Sequence, residues 1–168
     1  MKKLLALTLC ALCLFSLAAC GSKDSAPEGS GSAEMTIANP FVDYDTIEDA
    51  AAAAGFDLKA PDTIDELAFR NVQVMNSSMI QANYGDPDEE TNHVVLRKAE
   101  GVDDISGDYT EYELVKTVEQ NGVNVTLRCE EENAVYGAIW TVDGCSYALN
   151  SELPMDEAEV LAVVDAVE

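Results

Sequence analysis

The chain has 168 residues and carries nine Lys and Arg against 32 Asp and Glu, a formal charge of −23. That balance argues against nucleic-acid binding, which depends on clustered Lys and Arg neutralising phosphates, and it sets the body of the protein against anionic lipid surfaces. An apolar fraction of 48% still supplies a core, and the length suits one compact domain with appendages.

Lys2 and Lys3 precede an apolar run from Leu4 to Phe15 and then small residues. Charge, apolar stretch and small-residue cleavage site, in that order, are the layout of a secretory signal, and the run is too short to span a bilayer. Leu17-Ala18-Ala19-Cys20, followed by Gly21, resembles the lipobox of bacterial lipoproteins. The resemblance implies cleavage before Cys20, acylation of Cys20 and anchoring in membrane lipid on the outer, extracytoplasmic face of the cell membrane. Loss of residues 1–19 removes two lysines, so the mature chain carries about −25 by formal counting. It also removes Cys10 and Cys13, whose C-x-x-C spacing lies inside the leader. Residues 20–39, rich in Gly, Ser and acid, read as the lipidated cysteine and a flexible tether spanning roughly 20–25 Å. Residues 40–168 are then a single domain.

Asp45-Thr46-Ile47-Glu48 has the spacing of a capping box with Asp45 at the cap. The alanine run 50–54 continues the helix, and Gly55 ends it. From Phe56 the pattern changes to β-rich runs at 67–75, 78–84, 92–98, 111–119, 123–129, 134–142 and 145–150. Asn121-Gly122 predicts a type I′ turn, with Gln120 facing Val123, Val118 facing Val125, Lys116 facing Leu127 and Leu114 facing Cys129. Asp143-Gly144 sets Val142 against Cys145, Trp140 against Tyr147 and Ala138 against Leu149. If 123–129 also pairs with 134–142, Cys129 lies level with Ala134. Cys145 then sits about eight residues of strand away, roughly 26 Å, far beyond the ~7 Å Cα separation a disulfide tolerates. Both are expected to be free, buried thiols. Acids at 156–159 leading into Val160, Leu161, Val163, Val164 and Val167 predict an amphipathic C-terminal helix. The fold class is therefore α+β: a mostly antiparallel, meander-like β-sheet of about six to seven strands with an N-terminal helix and a C-terminal amphipathic helix.

The sequence offers little chemistry. His93 is the one histidine and lacks a Gly-x-Ser-x-Gly elbow or a recognised set of zinc ligands around it; it reads as structural. There is no Walker-type or Gly-x-Gly-x-x-Gly loop. The acidic turn 86–90 and the longer loop 100–109 read as solvated segments. Were the second to hold calcium, Asp103, Asp104 and Asp108 would be the oxygen donors, although the spacing does not satisfy an EF-hand. No catalytic residue and no cofactor are assigned.

Several segments together resemble a domain of unknown function found in lipoproteins of Gram-positive bacteria, with similar domains in anti-sigma-type proteins. They are Asn39-Pro40-Phe41, Asp45 to Ala50, Ala54-Gly55-Phe56, Ala60-Pro61, Arg97-Lys98-Ala99, Asp104 to Tyr109, Asn121-Gly122-Val123 and Gly144 to Tyr147, over residues 39–168. The resemblance implies an extracytoplasmic α+β domain with no established enzymatic activity. With the anchor and tether, it leads to the expectation of a non-catalytic binding or sensing module that meets an envelope protein or glycan. The alternatives are a carrier of an apolar or lipid ligand, which would need an apolar pocket of several hundred Å³, and a cell-envelope hydrolase.

Overall fold

The computed structural model describes residues 39–167. The leader, Cys20 and all of the tether but Asn39 lie outside the described residues. The chain enters through a short strand, β1 (Phe41–Tyr44), and turns into helix α1 (Ile47–Ala54). Thr46, not Asp45, is the cap: its backbone is extended and its hydroxyl oxygen accepts the Asp49 N–H at 3.1 Å. Either residue can cap a helix. The frame is decided by Asp49, whose carboxylate also accepts the Thr46 hydroxyl at 2.9 Å. Gly55 ends the helix in the left-handed region, as expected.

Nine strands follow this entry pattern: β1, then β2 (Thr63–Ile64), β3 (Leu67–Met75), β4 (Met79–Gly85), β5 (Val94–Glu100), β6 (Leu114–Gln120), β7 (Val123–Glu131), β8 (Ala134–Val142) and β9 (Cys145–Met155). Helix α2 (Glu157–Val167) closes the described chain. The strand count exceeds the expected six to seven because β1 and β2 are too short to carry an alternating pattern. Each exists through its pairing with β3.

All pairings are antiparallel, in the order β1-β3-β4-β5-β9-β8-β7-β6, with β2 beside β3. The sheet is therefore not one meander, as the sequence suggested, but two. The run β3-β4-β5 and the run β6-β7-β8-β9 meet through β5 and β9. Because β5 pairs with β9 and not with β6, the segment 101–113 must travel across β9, β8 and β7 to reach the far edge.

Both turns hold, with positive φ at Asn121, Gly122, Asp143 and Gly144. Gln120 faces Val123 and Leu114 faces Cys129, while Trp140 faces Tyr147 and Ala138 faces Leu149. The Trp140 and Tyr147 rings stack 5.3 Å apart and 7° from parallel. The β7–β8 pairing slips at a bulge, so that Cys129 faces Val135 and Ala134 faces Glu131. Cys129 is thus one residue off the predicted level. Both cysteines are free; Cys129 is buried, whereas Cys145 is only half-buried.

One face of the sheet is the core. Val72, Ile80, Tyr84, Leu96, Leu127, Leu149 and Trp140 are buried there with Ala50 of α1 and Val160, Val163 and Val164 of α2. Helix α1 lies on β3 and β4, and α2 on β6 and β8. Asp156 N–H donates to Glu159 Oε2 at 3.2 Å, the return arm of a capping box at the start of α2. Lys116 of β6 reaches Glu157 at 2.6 Å. Gln120 and Asn121, at the hairpin tip, donate to the Asp165 carboxylate at 2.7 and 2.8 Å. The β6–β7 hairpin therefore grips α2 at both ends.

Candidate functional site

The second face of the sheet is polar, and strand register decides which side chains meet on it. One lateral row runs Asp43, Gln73, Gln81, Arg97 across β1, β3, β4 and β5. Gln73 donates to Asp43 Oδ1 at 2.8 Å, Gln81 donates to Gln73 Oε1 at 3.1 Å, and Arg97 Nε donates to Gln81 Oε1 at 2.8 Å. A carboxylate at one end and a guanidinium at the other orient both amides the same way, so their dipoles align. Asn83 is buried beside this row and donates to Asn71 Oδ1 at 2.7 Å.

The next row runs Val95, Asn150, Gly137, Arg128 across β5, β9, β8 and β7. Gly137 leaves room there, since a Cβ would lie 3.4 Å from the Arg128 side chain and 3.7 Å from Asn150 Oδ1.

The crossing segment 101–113 is strapped onto these rows. Arg97 Nη1 donates to the carbonyls of Ile105 and Ser106. Asn150 Nδ2 donates to the Ser106 carbonyl at 2.7 Å, and Arg128 Nη1 to Ser106 Oγ at 2.9 Å. Ser106 is 2% exposed as a result. Gly107 sits with φ +63, and a Cβ on it would approach Arg97 Nη1 to 2.8 Å. Only glycine meets both the conformation and the close approach. The loop read from sequence as solvated is in fact docked on the sheet.

The structure also accounts for the candidate calcium donors. Asp104 Oδ2 lies 2.7 Å from Arg128 Nη2, and its Oδ1 accepts the Ser106 N–H at 2.9 Å. Asp108 accepts the Thr110 N–H at 3.0 Å and the Tyr112 hydroxyl at 2.6 Å. Burial works to raise both carboxyls, but hydrogen bonds from Ser106 and Arg128 on Asp104, and from Tyr112 and Thr110 on Asp108, outweigh it and hold both below the usual range. Burial and the Asp108 bond push the Tyr112 hydroxyl up to about 12. Asp103 is exposed. Among the described residues no group of three or more His, Cys, Asp or Glu is arranged to hold a metal ion.

Between strap and sheet lies a cleft of about 370 Å³. Arg97, Tyr136 and Asn150 come from the strands, Thr110 and Tyr112 from the strap, and Asn92 and His93 from the approach to β5. The Tyr112 and Tyr136 rings pair at 6.4 Å between centroids. His93 is more than incidental: Nε2 lies 2.9 Å from Glu89 and Nδ1 3.3 Å from Glu152. It ties the 86–92 loop to β9 at the rim of the cleft. The Glu89 hydrogen bond leads in raising its pKa, against a smaller desolvation effect and with help from Glu152. A larger concavity of about 640 Å³ is rimmed by Asp65, Glu131, Glu132, Asp156 and Glu159 and has no cationic side chain among its lining. The cleft under the strap is the better-built site, because donors and acceptors of both kinds converge there.

A family model for a domain of unknown function, DUF4367, matches residues 66–163, more than half of the chain. The chain belongs to the DUF4367 family. The DUF4367 match takes in β3 to β9, the whole strap and most of α2. It starts later than the resemblance read from residue 39, leaving β1, α1 and β2 outside. Every residue named in the cleft falls within the DUF4367 span. No curated protein matches the chain, and no solved structure does.

Sequence reasoning missed Arg97, Tyr112, Tyr136 and Asn150 as one constellation. A signal was present: arginine is scarce in this acidic chain, and Arg97 and Arg128 each follow a leucine inside a strand, Leu96 and Leu127.

Proposed function

We propose that the protein is a lipid-anchored, extracytoplasmic, non-catalytic binding module, and that the cleft under the strap receives its ligand. The observation that carries this reading is the convergence of Asn92, Arg97, Thr110 and Tyr136 on one cleft rimmed by His93. The lipobox-like segment ending at Cys20 and the 20–39 tether supply the address: acylated Cys20 holds the domain on the outer membrane face, within reach of an envelope protein or glycan. The lipoprotein and anti-sigma-type settings that the sequence resemblance implies would fit a module that presents a binding face outside the membrane. The carrier alternative gains no support from the concavities described above, which are rimmed by amides and carboxylates, or from the core, which is filled by Trp140, Tyr84 and Leu149.

Two measurements test the reading. Cys20→Ser should move the protein from the membrane fraction to the soluble one, and mass spectrometry of the wild-type N-terminus should find acyl chains on Cys20. Crosslinking in cells should then capture a reproducible envelope protein or glycan whose yield falls when the cleft is altered. Capture unaffected by cleft substitutions would remove the cleft from the proposal.

A further inference from the structure

Resting on that reading of the cleft, we infer that its ligand is a carboxylate-bearing sugar, held by Arg97 through the acid and by the tyrosine pair through the ring. Arg97 is half-buried, yet none of its hydrogen bonds reaches a carboxylate. Nε ends on the Gln81 amide and Nη1 on two strap carbonyls. Nη2 makes no hydrogen bond among the described residues. A guanidinium has five N–H donors and keeps its charge, and a charge taken partly out of water without a counter-ion is costly. Along its row the hydrogen-bond chain ends on a carboxylate only at Asp43, two amides away.

The other charges lining the cleft are already answered. Asp108 is bound by Tyr112 and Thr110, and Arg128 lies 3.9 Å from it. Glu152 faces His93 at 3.3 Å. Arg97 is therefore the one lining charge left without an ionic partner among the described residues, in a chain where acids outnumber bases more than threefold. An anionic group entering here would meet it at a partly desolvated site, where charge-assisted hydrogen bonds are strongest.

The rest of the lining selects for a hydroxylated body attached to that acid. The side chain of Asn92 and the hydroxyl of Tyr136 make no hydrogen bonds among the described residues, and they line the cleft together with Arg97. The tilted Tyr112–Tyr136 pair adds an apolar surface with polar tips. The cleft's size is at the lower end for small-molecule sites, enough for one or two rings.

Sugars paired with and without an acid-bearing group separate this inference from the broader one. Amide chemical shifts of the isotopically labelled domain are followed on titration with N-acetylmuramic acid against N-acetylglucosamine, and with glucuronate against glucose. At least one acid of these pairs should bind about tenfold or more tighter than its neutral counterpart, with the largest shifts at Asn92, Arg97, Gly107 and Tyr136. Arg97→Gln should abolish the preference. Because Arg97 also holds the strap, Tyr136→Phe serves as the fold-preserving variant and should weaken both members of a pair while keeping the preference for the acid. Equal binding of acid and neutral sugar at the cleft overturns the role of Arg97 but leaves a glycan-binding module. Shifts produced equally by inorganic phosphate overturn the sugar. Absence of cleft shifts with all four sugars overturns the inference, and the crosslinking experiment then decides separately whether the cleft meets a protein.

Discussion

Arg128 Nη2 stands 2.7 Å from Asp104 Oδ2, and this pair fastens a strand near the far edge of the sheet to the segment that crosses it. The same guanidinium reaches Ser106 Oγ and the Asp108 carbonyl. Without these bonds the strap would lie over polar side chains it does not satisfy. Arg128→Met should cost about 1–3 kcal/mol in urea unfolding. The Asp104 ion pair adds little to that figure, since Asp104 is about half exposed. Amide exchange at Ser106 and Gly107 should accelerate more than exchange in β4. Asp104 and Asp108 are held below their ordinary 3.8, so the stability they lend is present above that value and is lost as pH falls through their lowered pKa values.

His93 should titrate above its ordinary 6.5, because both ring nitrogens face carboxylates and only the imidazolium donates to both. The pKa is raised on folding, so the stabilisation is complete below about pH 6.5 and is lost as pH rises through the folded value. An NMR titration of the His93 ring checks this. Glu152→Gln should lower the midpoint and Glu89→Gln should lower it further, since the Glu89 bond is the larger cause. A midpoint at or below 6.5 in the wild type would contradict the bridge.

The β3–β4 connection places Asn76 and Ser77 at φ +51 and +54. Asn tolerates the left-handed region and Ser does so poorly. Ser77→Gly should raise stability by about 0.5–1 kcal/mol, the relief of strain less the added freedom of the unfolded chain. Thermal or urea unfolding measures it directly, and a loss of stability would contradict the turn geometry.

Thiol labelling should separate the two cysteines of the domain. Cys145 is half-buried at the β8–β9 turn and should react in the native state. Cys129 is fully buried, and burial also raises its thiol pKa. It should react only as fast as the domain opens, so labelling of Cys129 with rising urea should track global unfolding.

What the sequence revealed followed from how local the deciding interaction was. Asn121-Gly122 and Asp143-Gly144 each fix a turn by backbone sterics, and the cross-strand neighbours follow by counting from Gln120 or Val142. The bulge that moves Cys129 to Val135 leaves no such signature, because it answers to packing between strands. The pairing of β5 with β9 joins residues some fifty positions apart by sequence numbering, as in Ala99 with Ser146, and no local pattern encodes it. The strap follows from that pairing, and so does the cleft. Arg97 and Asn150 become neighbours only once β5 and β9 are side by side, and Tyr112 meets Tyr136 only because the strap must return over the sheet. His93 gained its role in the same way, from a loop on one side and β9 on the other.

The central claim is that the cleft under the strap is where this domain meets its ligand. The most direct measurement is a shift map of the labelled domain, residues 39–168, against a solubilised glycan fraction from the cell envelope. The account predicts saturable shifts concentrated at Asn92, Val95, Arg97, Gly107, Tyr136 and Ser151, all around the cleft. Saturable shifts centred instead on the helix-covered face or on the acidic concavity around Glu131 and Glu159, with the cleft silent, would contradict it.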